Sequence, residues 1–166
     1  MDYFLELFSS GMVRGSIYAL IALGYTMVYG IIQLINFAHG EIYMIGAFVA
    51  LIVSGVLTIY GFSGVSILIL AAIIAMIYAA AYGYTLEKIA YRPLRNAPRL
   101  SALISAIGMS LFLQNYVLLA QTPDYLPFPD LIPQFDFMEP IAHVMGSAEL
   151  IILVTSALTM IALTLL

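Results

Sequence analysis

The sequence has no cysteine and very little charge. Without thiols there is no disulfide framework, no thiolate metal site and no cysteine nucleophile, though this absence identifies no compartment. Charged residues make up 8% of the 166 positions, against about 25% in a soluble domain. So few charges cannot coat a water-facing globule. A soluble enzyme domain, a disordered tail and a nucleic-acid binder are excluded. Catalytic signatures are missing as well. There is no GxxxxGK[ST] phosphate loop, no HExxH and no GxSxG elbow. The two histidines, His39 and His143, lie far apart, and His39-Gly40-Glu41 alone is no zinc motif. No metal and no cofactor is expected.

What the chain has instead is apolar length. It is 64% hydrophobic, with a mean hydropathy of +1.09. A helix needs about 20 apolar residues to span a bilayer. Gly15–Ala38 has no charged side chain over 24 residues, Ile42–Leu86 none over 45, and Leu100–Thr122 none over 23. The 45-residue run is too long for one crossing, and Tyr60-Gly61-Phe62-Ser63-Gly64 reads as the turn that divides it. Leu150–Leu166 is a last apolar stretch. The expected architecture is all-α, a polytopic transmembrane helical bundle. It has five hydrophobic segments, near 12–35, 42–59, 66–86, 100–121 and 148–166, with the last cut short at the C-terminus. Asp2 and Glu6 sit where the basic region of a signal peptide would be, so the first segment reads as a retained helix.

Orientation follows basic residues. Lys88, Arg92, Arg95 and Arg99 are four of the five in the chain, which places the loop 87–99 in the cytoplasm. The stretch Pro123–Glu149 has five acids, no Lys or Arg and five of the seven prolines. The loop 123–148 is therefore expected outside, extended and rich in turns. Three full crossings before residue 87 would put the N-terminus outside. A cytoplasmic N-terminus would need a re-entrant or broken early segment, and Gln33–Glu41 is the candidate.

Small residues recur every fourth position: Ala71, Ala75, Ala79 and Gly83 in the third segment, and Ala102, Ala106 and Ser110 in the fourth. Such ladders let helix backbones approach closely. Gly11 and Gly15 form one GxxxG, for which packing within a single bundle is the simplest reading.

Polar groups inside apolar segments are the candidate functional residues, because burying them in lipid costs a few kcal/mol. Gln33, Asn36, His39 and Glu41 cluster in one short stretch. On a helix Asn36, His39 and Tyr43 would share a face, and Gly40 would permit a break that frees backbone groups for a substrate. The competing reading makes His39 and Glu41 residues of an interfacial turn. Gln114 and Asn115 lie deep in the fourth segment and are expected to hydrogen-bond between helices. Arg14 reads as a side chain that snorkels or pairs with Glu6. His143 has no special company.

The run Gly15-Ser16-Ile17-Tyr18-Ala19-Leu20-Ile21-Ala22-Leu23-Gly24-Tyr25-Thr26-Met27-Val28-Tyr29-Gly30, followed by Ile35-Asn36-Phe37-Ala38-His39-Gly40-Glu41, resembles the permeases of bacterial ABC importers for branched-chain amino acids. Glu87, Ala90-Tyr91-Arg92-Pro93-Leu94-Arg95, Leu103-Ile104-Ser105-Ala106-Ile107-Gly108-Met109-Ser110 and Phe112-Leu113-Gln114-Asn115-Tyr116 form a second block in the right order. The resemblance runs from about residue 11 to residue 121. It is nearest to the first of the two permeases of the high-affinity leucine/isoleucine/valine system.

Family members are longer, so the resemblance implies the N-terminal half of a single permease domain in the bacterial inner membrane. It implies four kinds of partner: a second permease subunit, two cytoplasmic ABC ATPases, a periplasmic amino-acid-binding protein and membrane lipid. ATP hydrolysis would then lie on the partners, and this chain would not be an enzyme. The substrate path is expected at Asn36, His39, Glu41 and Gln33, with Gly40, Gln114 and Asn115 in bundle packing. Lys88, Arg92, Arg95 and Arg99 are expected at the cytoplasmic face. The alternatives are a membrane scaffold or anchor without a pathway, or a related permease for another amino acid or for urea and amides.

Overall fold

The protein is described by a computed structural model covering residues 2–33, 35–95, 97–122, 124, 126–129, 131–132 and 146–165. Among the described residues, five α-helices run in order: α1 (Asp2–Ile32), α2 (His39–Ile59), α3 (Val65–Leu86), α4 (Arg99–Ala120) and α5 (Ser147–Thr164). No strand occurs among the described residues. All five helices are long and apolar enough to cross a membrane. Most of each helix's apolar surface stays uncovered, as it would for helices facing lipid or further protein.

The 45-residue charge-free run divides where the glycines predict. α2 ends at Ile59 and α3 begins at Val65. Gly61 and Gly64 take φ of +83° and +59°, a region that glycine enters without steric cost. Two expectations need revision. α1 starts at Asp2 rather than near residue 12, because a helix satisfies its own backbone whatever the polarity of its side chains. The stretch expected to be a loop from residue 87 is helical as far as Leu94, through a π turn (Glu87–Tyr91) and a 3-10 turn (Arg92–Leu94). Pro93 sits in this 3-10 turn, where the ladder tightens because proline has no N–H to donate, and Pro98 caps the start of α4. The segment expected outside, 123–148, falls mostly outside the described residues, and His143 is among those not described.

The chain forms two compact units. The first is Met1–Met27 with Ile132–Leu166. Here Glu149, in the first turn of α5, accepts the Gly146 N–H at 3.2 Å, and its other oxygen accepts the Ser10 hydroxyl of α1 at 3.4 Å. Ser9, Val13, Ser147 and Ser156 are its buried residues. A Cβ on Gly11 or Gly15 would meet nothing within 4 Å among the described residues.

The second unit, Val28–Leu131, contains the α2–α3 hairpin and α4. The small-residue ladder of α3 lies against α2. A Cβ on Gly46 would stand 3.7 Å from the Ala79 Cβ, and one on Gly83 would stand 3.9 Å from the Ile42 Cδ1. Ala71 and Ala75 are buried, as are Ala102 and Ala106 of α4. The core of this unit gathers Ala38, Ile45, Leu86, Ala90, Tyr91, Ala106, Leu113 and Val117. Hydroxyls are hidden locally. Ser54 and Thr58 donate to carbonyls three and four residues back in α2, and Thr85 does the same in α3. No buried side-chain polar atom among the described residues lacks a partner.

Candidate functional site: a carboxylate held inside the second unit

The chain leaves the helical path between α1 and α2. Gln33 takes φ 55°, a left-handed conformation that is uncommon for a residue with a Cβ, while its N–H still bonds the Tyr29 carbonyl at 2.8 Å. Asn36 then organises the turn. Its Oδ1 accepts the Ala38 N–H at 3.0 Å, a local Asx-type bond. The same Oδ1 accepts the Tyr91 hydroxyl at 2.7 Å, across 55 residues of sequence. The Asn36 carbonyl accepts the His39 N–H at 3.2 Å. Ala38 is fully buried and Tyr91 nearly so. The break therefore spans Gln33–Ala38, and Asn36 shares no helix with His39 and Tyr43. Gly40 lies within the first turn of α2, with nothing within 4 Å of where a Cβ would stand. The break is not there.

Since Gln33 is exposed and strained, Gln33→Gly should raise stability by about 1 kcal/mol. Thermal unfolding of the detergent-purified protein measures this. A lower midpoint would mean that the side chain itself holds the turn.

Two residues into α2 lies Glu41, only 8% exposed. Its Oε1 accepts the Ser110 hydroxyl of α4 at 2.7 Å and the Gln114 side-chain amide one turn further along. The first turn of a helix carries partial positive charge from unpaired N–H groups, which favours an anion there. Asn115 donates instead to the Leu111 carbonyl of its own helix at 2.7 Å. His39 opens α2 half-buried and engaged in an interaction of its own.

One turn beyond Glu41, Ile45 reaches a cleft of about 370 Å³ between α2, α3 and α4. Phe48, Val49 and Ile52 line it together with Tyr78, Tyr82 and Tyr116.

No described basic side chain forms an ion pair with Glu41. Arg95 pairs with Glu87 at 2.8 Å on the surface, a pair worth about 0–1 kcal/mol. Lys88 stands over the Tyr84 ring at 5.8 Å. Arg92 is exposed, and Arg99 opens α4. Arg14 is exposed on α1, and no ion pair joins it to Glu6 among the described residues.

Sequence reasoning missed two participants. Tyr91 stands among Glu87, Lys88, Arg92 and Arg95, whose charges drew attention to the cytoplasmic face and away from its hydroxyl. Ser110 was read only as a small packing residue. Its placement four residues before Gln114 puts two polar groups on one face of α4, and that spacing could have flagged it.

Helices of spanning length along the described chain define a multi-pass membrane protein. The chain belongs to the branched-chain amino acid transport system / permease component family, whose model matches residues 7–166. It is 48% identical over 167 aligned positions to the high-affinity branched-chain amino acid transport system permease protein BraD of Pseudomonas aeruginosa, covering 98% of this chain and 54% of that protein. It is 46% identical over 130 positions to the LivH permease protein of Salmonella typhimurium, covering 78% of this chain and 42% of LivH. The Escherichia coli K12 LivH is 45% identical over the same shares. The chain thus spans about half the length of the curated relatives it matches. No solved structure matches significantly.

Proposed function

We propose that this chain supplies part of the transmembrane pathway of an ATP-driven importer for branched-chain amino acids in the bacterial inner membrane. The observation that carries the reading is the likeness to BraD along almost the whole chain. The polar centre at Glu41 supports it, because a buried carboxylate in a spanning helix is costly unless it works. The partners in this reading are a second permease subunit, two cytoplasmic ATPases that hydrolyse the ATP, and a periplasmic binding protein that delivers the amino acid. The pathway alternates because ATP-bound and ATP-free states bind its inward- and outward-facing forms with different affinity. Gln33, Asn36, His39 and Glu41 border the path, and the basic residues Lys88, Arg92, Arg95 and Arg99 anchor its cytoplasmic face.

Uptake of labelled leucine, isoleucine and valine by the complete importer in proteoliposomes tests the function. Transport that proceeds at the same rate without this subunit would leave only a scaffold role. Topology is tested separately. Single cysteines at positions 95 and 130, in a chain that has none of its own, are expected to label from opposite sides of the membrane. Labelling of both from the periplasm would refute this topology.

A further inference from the structure

Glu41 is a carboxylate with half of its capacity unused. Both hydrogen bonds, from Ser110 and from Gln114, go to Oε1. Oε2 has no hydrogen-bond partner among the described residues, and Glu41 takes part in no further interaction. Nor is Oε2 sealed away, since every fully buried polar side-chain atom described has a partner. No described basic side chain pairs with it; the ion pair present is Arg95–Glu87. What holds the charge is two neutral donors and the first turn of α2. That arrangement fixes an anion in place and leaves one oxygen open to a cation arriving from outside the protein.

The cleft supplies the second half. It begins at Ile45, one helical turn or roughly 5–6 Å along α2 from Glu41, and is lined by aliphatic and aromatic side chains. A ligand with a cationic head and a short branched aliphatic body matches that spacing. We infer that the free oxygen of Glu41 receives the α-ammonium group of the transported amino acid while the Ile45–Phe48–Tyr82 cleft receives its side chain. This inference rests on the function proposed above and names the atom that would recognise the substrate. A buried carboxylate meeting an ammonium desolvates both, so the pairing rejects analogues that lack the charge.

The Glu41→Gln variant tests it, because the amide keeps an acceptor for Ser110 and Gln114 while removing the charge. The assay uses the complete importer in proteoliposomes with labelled leucine and leucine-loaded binding protein. Wild type must import leucine; if it does not, the proposed function fails and not this inference alone. E41Q is expected to assemble in normal amount. Its leucine uptake is expected to fall by about tenfold or more, the scale of losing a buried charge partner. Glu41→Asp should restore part of the uptake. Uptake by E41Q close to wild type would overturn the inference, since a neutral group would then suffice. Loss of assembled E41Q complex would also overturn it, showing that the charge is paired by another part of the importer. Wild-type uptake that stops when sodium is replaced by choline would assign the free oxygen to a metal cation instead.

Discussion

Replacing Asn36 with alanine is expected to lower the stability of the folded protein by about 1–3 kcal/mol, because it takes away the side-chain acceptor of the buried Ala38 N–H and the tie to the Tyr91 hydroxyl. Asn36 Oδ1 accepts both the Ala38 N–H and the Tyr91 hydroxyl. Ala38 is 0% exposed and Tyr91 3%, so water cannot take over. Tyr91→Phe removes one donor together with its need for a partner, and should cost less, about 1 kcal/mol. Once Asn36 is alanine, the further change Tyr91→Phe should cost less than it does in the wild type, since the bond between the two side chains is already gone. Denaturant unfolding of the four proteins in detergent measures the cycle. Independent, additive losses would show that the Asn36–Tyr91 bond carries no coupling. The sequence alone points to Asn36 as a residue of the path. Its side-chain oxygen is engaged in holding the turn, so a change in uptake by Asn36→Ala must be read per folded molecule.

Ala106→Leu is expected to be of similar size, for the opposite reason. Ala106 is 0% exposed and sits in the core with Ala38, Ile45 and Leu113. Adding an isopropyl group to its methyl there must push α4 away or force neighbours off their rotamers, at about 1–3 kcal/mol. It would also pull Ser110, one turn along the same helix, away from Glu41. Gly108→Ala is the control on the same helix. Gly108 is exposed, with nothing within 4 Å, so added helix propensity should leave stability level or raise it by up to about 1 kcal/mol. Equal folded yield and equal unfolding midpoints for Ala106→Leu and wild type would mean that the close approach of α4 is not a constraint.

Much of the fold could be read from the chain, and the reason is the solvent. In a bilayer the unbroken run of apolar residues is itself the structural constraint, so α2 to α5 appear wherever charge disappears. The turn at Tyr60–Gly64 was legible because the stereochemistry of glycine is local. Errors arose where polarity served as a guide to backbone shape. Glu6 and Arg14 do not interrupt α1, and Glu87 and Lys88 do not interrupt the helical path that leads to Leu94. Charge reports which solvent a residue meets, not whether its backbone is helical.

The candidate site was legible only as a cluster in sequence. That Gln33–Glu41 departs from a plain spanning helix follows from its composition. The location of the break does not, because Gln33 takes a left-handed conformation that contradicts its own preference. The pairing of Glu41 with Ser110 and Gln114 joins residues 69 and 73 positions apart. No local pattern encodes which helix face meets which.

The π turn at Glu87–Tyr91 carries a consequence for how this protein can be probed. Such a turn is what a helix makes of one surplus residue, taken up as a widened loop of backbone instead of being passed along the chain. It sets the angular phase of the residues beyond it. Tyr91 faces the core and reaches Asn36, while Arg92 and Arg95 face outward. The determinant is therefore arithmetic, residing in how many residues separate Leu86 from Tyr91. Surveys that exchange one amino acid for another, however exhaustive, hold that number constant and are blind to it; only variants that lengthen or shorten the segment interrogate the phase on which the Asn36–Tyr91 tie depends.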